Sequence, residues 1–304
     1  MTGLQSPRLR LFIGAALISL SPVWVKLVEV SPTTSGFYRV LIGGMALAIY
    51  MLVRRQRLQF SRNAWLMIIV AAVFLTLDLW FWHRSIIYIG PGLATLLANF
   101  QVFFMMLAGI VLLRQTPRPI QLVAVPMALL GLALIVGLDW NSLPPDWNSL
   151  PPDYQLGIIL GFMTAVVYAA YLLSLRHVRQ QSSHRLPTRE LVVISLLTAA
   201  MLGATALLEG ESLVINSLSD VGWLVGYGLL SHSLGWLFIA SSLPQVTAVE
   251  AGLALMLQPT LSFGWDVLFF DRPMTSVELV GAVIALVAIY LGSRPASKQA
   301  QGAR

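Results

Sequence analysis

Few residues in this 304-residue chain could do chemistry, and most of those sit inside apolar runs. The densest group is Asp78-Leu-Trp80-Phe-Trp82-His83. An ionisable group at membrane depth costs at least ~2.5–3.5 kcal/mol, so it faces a cavity or a partner. Asp78 therefore has two readings. It holds a substrate ammonium or a proton, or it pairs with Arg39 as a structural clamp. At about 100° per residue, Asp78 and Trp82 share one face of a helix. Thr76, Trp80 and His83 share roughly the opposite face, so the group cannot all line one narrow cavity. Either Trp could instead belong to the interfacial aromatic belt.

A second group is Ser231-His232 with Trp236, where His232 and Trp236 stack on one helix face four residues apart. Tyr168 and Tyr171 share a face three residues apart. Each has a packing alternative: a histidine satisfied by a helix–helix hydrogen bond, or tyrosines packed on neighbouring helices. Asn99, Gln101 and Gln258 offer amides, which also serve as glue between helices. Pro259 breaks a backbone hydrogen bond and could supply a hinge. Thr247-Ala-Val-Glu250 and Thr275-Ser-Val-Glu278 both fit the capping box at a helix start, which gives Glu250 a structural reading beside a coupling one.

Such a set is compatible with an amino acid, an aromatic metabolite or a lipophilic cation and does not choose among them; for a zwitterion the fit is direct. The ammonium needs an acceptor, the carboxylate needs donors, and an apolar side chain needs an aromatic wall. Other chemistries lack their residues. There is no cysteine, so no disulfide and no thiolate metal site. His83, His177, His184 and His232 are scattered, with no H-E-x-x-H, and neither G-x-S-x-G nor a Walker A loop occurs. We expect no enzyme activity, no cofactor and no metal. Phosphorylated substrates would want several cavity cations, and only Arg39 lies within a span.

The elements that must position these residues follow from composition. The chain is 57% hydrophobic and 11% charged, against about 25% charged in soluble domains. That surface fits lipid, and its short Arg groups form no basic stripe for nucleic acid. A span needs roughly 20 apolar residues. Ten segments qualify: 9–27, 33–53, 63–84, 88–113, 118–138, 154–175, 189–208, 220–240, 245–269 and 275–292. The expected fold is an all-α integral membrane protein. Its partners are a lipid bilayer and a small-molecule substrate, and the oligomeric state stays open.

With the N-terminus in the cytoplasm, 15 of the 19 Lys and Arg fall on cytoplasmic segments; Lys26, Arg84 and Arg272 lie outside and Arg39 lies within the second helix. This places both termini inside and makes the helix count even. Five helices precede the mid-chain external loop and five follow it, which is the arithmetic of an inverted repeat. The divisions are a first repeat at 1–140, an external loop at 141–153, a second repeat at 154–293 and a cytoplasmic tail at 294–304. The stretch 139–153 carries DWNSLPP twice in tandem, read as a short duplication in a tolerant loop. Sliding the chain by 156 residues lays Pro117 on Pro273, Trp80 on Trp236 and Ala98 on Ala254. By that symmetry the Trp80/His83 face is favoured as the lumen.

Arg84-Ser-Ile-Ile-Tyr-Ile-Gly-Pro-Gly-Leu-Ala-Thr-Leu-Leu resembles the junction between helices three and four of EamA-type carriers in the drug/metabolite transporter superfamily. Leu257-Gln-Pro259, Phe269-Phe-Asp271 and Glu278-Leu-Val-Gly281 resemble the close of the second EamA repeat, and Tyr38-Arg39 also matches. The resemblance spans nearly the whole chain, though Arg114-Gln115 stands where the first repeat has an acidic position. Within the family the chain looks most like YddG-type exporters of aromatic and other neutral amino acids. The resemblance implies an inner-membrane exporter with a central cavity opened alternately by its two halves. It also implies an aromatic at the cavity on the Val166-Val-Tyr168-Ala-Ala stretch.

Overall fold

The computed structural model describes residues 6–136, 147–182 and 186–294. Ten helices among them are long and apolar enough to cross a membrane: α1 Pro7–Leu27, α2 Pro32–Val53, α3 Arg62–Gly90, α4 Gly92–Val111, α5 Pro119–Val136, α6 Pro152–Gln181, α7 Thr188–Leu208, α8 Leu218–Gln245, α9 Ala248–Phe270 and α10 Ser276–Ser293. In lipid, backbone groups must be satisfied inside the segment, and a helix does this. The first DWNSLPP copy, at 139–145, lies outside the described residues, as does His184. Of the second copy, Trp147–Ser149 forms one 3₁₀ turn.

Several helices run past their sequence-based limits. The third continues to Gly90, where φ 79 and ψ 159 turn the chain straight into α4; only glycine adopts that conformation without strain. The sixth extends to Gln181, so Arg176 belongs to the helix rather than to a loop. Among the described residues five helix starts are secured by side chains: Ser31, Ser61 and Ser217 cap α2, α3 and α8, and Thr247 and Thr275 form full capping boxes with Glu250 and Glu278.

Three of the spanning helices are interrupted in a way that bears on the site. In α1 the break falls at Leu20. Pro22 cannot donate to the Ile18 carbonyl, and the Ser21 hydroxyl donates to it instead at 2.6 Å. The fourth helix breaks at Asn99-Phe100, and α9 breaks at Met256, three residues before Pro259. Pro259 has no N–H for the Leu255 carbonyl, and its ring crowds that carbonyl, so the helix yields just after it. The two breaks, at 100 and 256, are related by the 156-residue slide.

Helix pairing repeats across the halves. The sixth helix packs on α3 and α4, while α1 packs on α8 and α9; α2 faces α7, α4 faces α9, and α5 faces α10. Exchanging the halves maps every one of these contacts onto another or onto itself. The α5–α10 crossing is the closest. A Cβ on Gly131 would lie 2.6 Å from the Ala285 nitrogen and 2.7 Å from the Gly281 oxygen. Small residues let backbones approach in this way where no hydrophobic force drives helices together.

This crossing generates a test. Gly131→Leu should destabilise the fold by about 1–3 kcal/mol through overpacking, read as a lower unfolding temperature in detergent. Gly222→Leu, where an added Cβ meets nothing within 4 Å, should leave that temperature unchanged.

Candidate functional site

An aromatic wall forms where α6 meets α8. Tyr171 is fully buried and sits 4.9 Å, edge-on, from Trp236, whose own exposure is 3%. Tyr168 lies one turn earlier, stacked near-parallel with Tyr171 at 6.4 Å and edge-on to Trp236 at the same distance. Unlike these two neighbours, Tyr168 keeps part of its surface accessible. Gln258, just after the α9 break, is close to Tyr168 and half-buried, and its Nε2 has no hydrogen-bond partner. Trp236 Nε1 is also unpartnered.

Asp78 of α3 adds a carboxyl near this aromatic wall, which we call the chamber. Its charge reaches Tyr168, Tyr171 and Arg39. The carboxylate is half-buried and takes part in no hydrogen bond or ion pair among the described residues. The clamp with Arg39 is therefore not formed. Arg39 donates instead to the Tyr227 hydroxyl at 3.2 Å, and its guanidinium stands 5.0 Å from the centre of that ring. Tyr227 was not singled out from sequence, because nothing local ties it to a residue 188 positions away.

The expected lumen face of α3 needs correcting. Trp80 points away from the chamber. Its indole donates to Glu209 at 2.9 Å, and Arg84, which pairs with Glu209, lies 4.5 Å over its ring. An indole N–H and a charge pair gain most where water reaches, which turns Trp80 toward Glu209 at the end of α7. Trp236, its counterpart by the repeat slide, is buried instead. His83 is buried against Gly36, with Nδ1 unpartnered and the half-buried Trp82 ring 5.2 Å away.

Other candidates meet helix neighbours. His232 sits in a π-helical stretch, Tyr227–Leu234, and its Nε2 is 2.7 Å from the Ser195 hydroxyl of α7. A Cβ on Gly43 would fall 2.6 Å from its ring, so His232 is packed between α2 and α7. Such π-stretches often mark functional sites. Asn99 donates to the Thr95 carbonyl at the end of its own helix segment, and Gln101 bridges to the Gly252 carbonyl of α9. Glu250 carries its capping box and pairs with Arg8 at 2.8 Å and Arg118 at 3.5 Å. No group of three or more metal-ligating side chains gathers among the described residues.

Comparisons with known proteins agree with this architecture. A model of the EamA-like transporter family matches residues 8–137 and again 155–294. The pseudopaline exporter CntI of Pseudomonas aeruginosa is 26% identical over 259 residues, covering 85% of this chain and 84% of that protein. The uncharacterized inner membrane transporter YhbE of Escherichia coli is 27% identical over 286 residues, covering 91% and 85%. A crystal structure superposes with a TM-score of 0.81 over 95% of this chain and 96% of its own, at 18% identity, which speaks for the fold alone. With two family matches, one in each five-helix half, the chain belongs to the EamA-like transporter family.

Proposed function

We propose that this chain exports a small zwitterionic solute, an aromatic or other neutral amino acid or a close metabolite, by alternating access between its two halves. The observation that carries the reading is Asp78, a half-buried carboxylate inside a span with no partner among the described residues. An ammonium group supplies what it lacks. Tyr168, Tyr171 and Trp236 offer stacking and cation–π surface beside it. The Gln258 amide offers a donor to the solute's carboxylate.

The broken helices support the same reading. In carriers built from inverted repeats, the solute site lies near the midplane beside discontinuous helices. Here α4 and α9 are those helices, and the Met256–Pro259 segment is the hinge. Export rather than uptake is favoured by the likeness to a named exporter and by the resemblance to YddG-type carriers. The positive-inside distribution favours an inner membrane with both termini in the cytoplasm.

Asp78→Asn removes the charge at nearly constant size. It should lower tryptophan and phenylalanine counterflow in proteoliposomes by roughly ten- to a hundredfold, the equivalent of a charge-assisted hydrogen bond of ~1.5–3 kcal/mol. If the wild-type protein moves a lipophilic cationic drug but neither amino acid, the substrate assignment is wrong.

Orientation has its own check, made simple by the absence of native cysteine. A cysteine at Arg57 should react with an impermeant maleimide only after the cells are opened. One at Asn216, at the other end of the bundle, should react in intact cells. The opposite pattern would invert the topology.

A further inference from the structure

The geometry points to a carboxylate-binding vestibule at the arginine-rich end of the bundle, where the transported solute is first held by its acid group. This rests on the transport reading above and adds that the solute must carry a carboxylate. The site is a cavity of about 550 Å³ lined by Arg8, Arg118 and Arg176 from α1, the start of α5 and α6, by Glu250 of α9, and by Gln115 and Gln245. Three guanidiniums share it with one carboxylate.

Their bonding is unequal. Glu250 Oε1 takes Arg8 at 2.8 Å and Arg118 at 3.5 Å, while Oε2 accepts the Thr247 N–H of the capping box at 3.1 Å. Arg118 donates as well to the Gly292 carbonyl at 2.9 Å. Arg176 has nothing comparable. It is 5% exposed, forms no hydrogen bond or ion pair among the described residues, and its Nε and Nη1 are buried without acceptors. Glu250 influences it only through its field.

A guanidinium has five N–H donors in a fixed fork and cannot shed its charge. Leaving it buried and unbonded is costly, so the pocket suits an oxyanion that the described residues do not supply. The fork matches the planar geometry of a carboxylate. Glu250 shows what such a group does there: it is a tethered carboxylate that already occupies one corner and ties α9 to α1 and α5. An incoming carboxylate would compete with it for the same arginines.

Tyr168 and Arg176 are eight residues apart on α6, roughly 12 Å along the axis. An amino acid is too short to touch both, so it would occupy the vestibule and the chamber in turn.

The phosphate of an anionic lipid shares this oxyanion chemistry, so the test separates the two. Full-length protein is placed in nanodiscs of pure phosphatidylcholine and titrated with citrate, against chloride at matched ionic strength. Citrate should bind the wild type and raise its unfolding temperature. Arg176→Gln should weaken binding at least tenfold, Arg176→Lys less. Glu250→Gln keeps the capping box and should tighten binding severalfold by freeing Arg8 and Arg118.

Equal citrate affinity in wild type and Arg176→Gln would overturn the proposal. So would stabilisation by phosphatidylglycerol but not by citrate, which would make this a lipid site. Should Arg176→Gln fail to fold, Arg176→Lys and Arg8→Gln carry the same comparison. Citrate binding that depends on Arg176 in a protein that moves no amino acid would leave the vestibule standing and overturn only the solute assignment.

Discussion

Hydrocarbon does not solvate charge, and the placement of polar groups in this molecule follows from that. Among the described residues, many charged side chains near helix ends have an ion-pair partner. Lys26 pairs with Asp266, Arg84 with Glu209, Arg272 with Glu278, Arg8 with Glu250 and Arg179 with Glu190. These ties gather at the two ends of the bundle and leave its middle nearly free of charge. Against that pattern the exceptions stand out. Arg39 leans on a tyrosine, Asp78 has no partner among the described residues, and Arg176 is buried with its Nε and Nη1 unpartnered. In a medium that penalises loneliness this strongly, an unpartnered charge marks a place where something else arrives.

The backbone obeys the same constraint. A proline in a span removes a donor, and the freed carbonyl must be met nearby or the helix must yield. At Pro22 the Ser21 hydroxyl meets it, and α1 continues after a short break. At Pro259 the helix yields at Met256. The first half yields at Asn99-Phe100 without any proline, and the Asn99 amide turns back onto the Thr95 carbonyl. Two different sequences thus produce one geometry at equivalent depths. The shared shape comes from the packing of α4 on α9, not from a shared motif.

This explains how much could be read beforehand. Ten apolar runs, their order and their two-by-five division are local and repetitive, so they were legible. The capping boxes at Glu250 and Glu278 were legible too, since both partners lie three residues apart. Long-range pairings were not. Arg8 meets Glu250 across 242 positions, and nothing in either neighbourhood announces it. Trp80 failed for a related reason. Spacing gives the face of α3 that carries Trp80, but which neighbour covers that face depends on where α7 ends and where Glu209 stands. Arg176 was hidden by hydropathy, which closes a span at the first charge although α6 runs on to Gln181.

The ion pairs also differ in what they permit. Arg179 and Glu190 have side-chain exposures of 5% and 1% and join α6 to α7 at 2.8 Å. Removing one partner of so buried a pair costs ~3–5 kcal/mol, because the other is left charged and alone. That bond is a fixed staple. The Arg8–Glu250–Arg118 tie is wetter on one side only, with the arginines 34% and 26% exposed and Glu250 6%, so water reaches the cations but not the carboxylate. A carrier that alternates between two states needs both kinds. In the proposed alternating-access cycle, α6 and α7 would travel together through the buried pair, and α9 would part from α1 and α5 where water or a competing anion can replace the wetter tie. Burial, more than distance, separates the two, since both contain a contact of 2.8 Å.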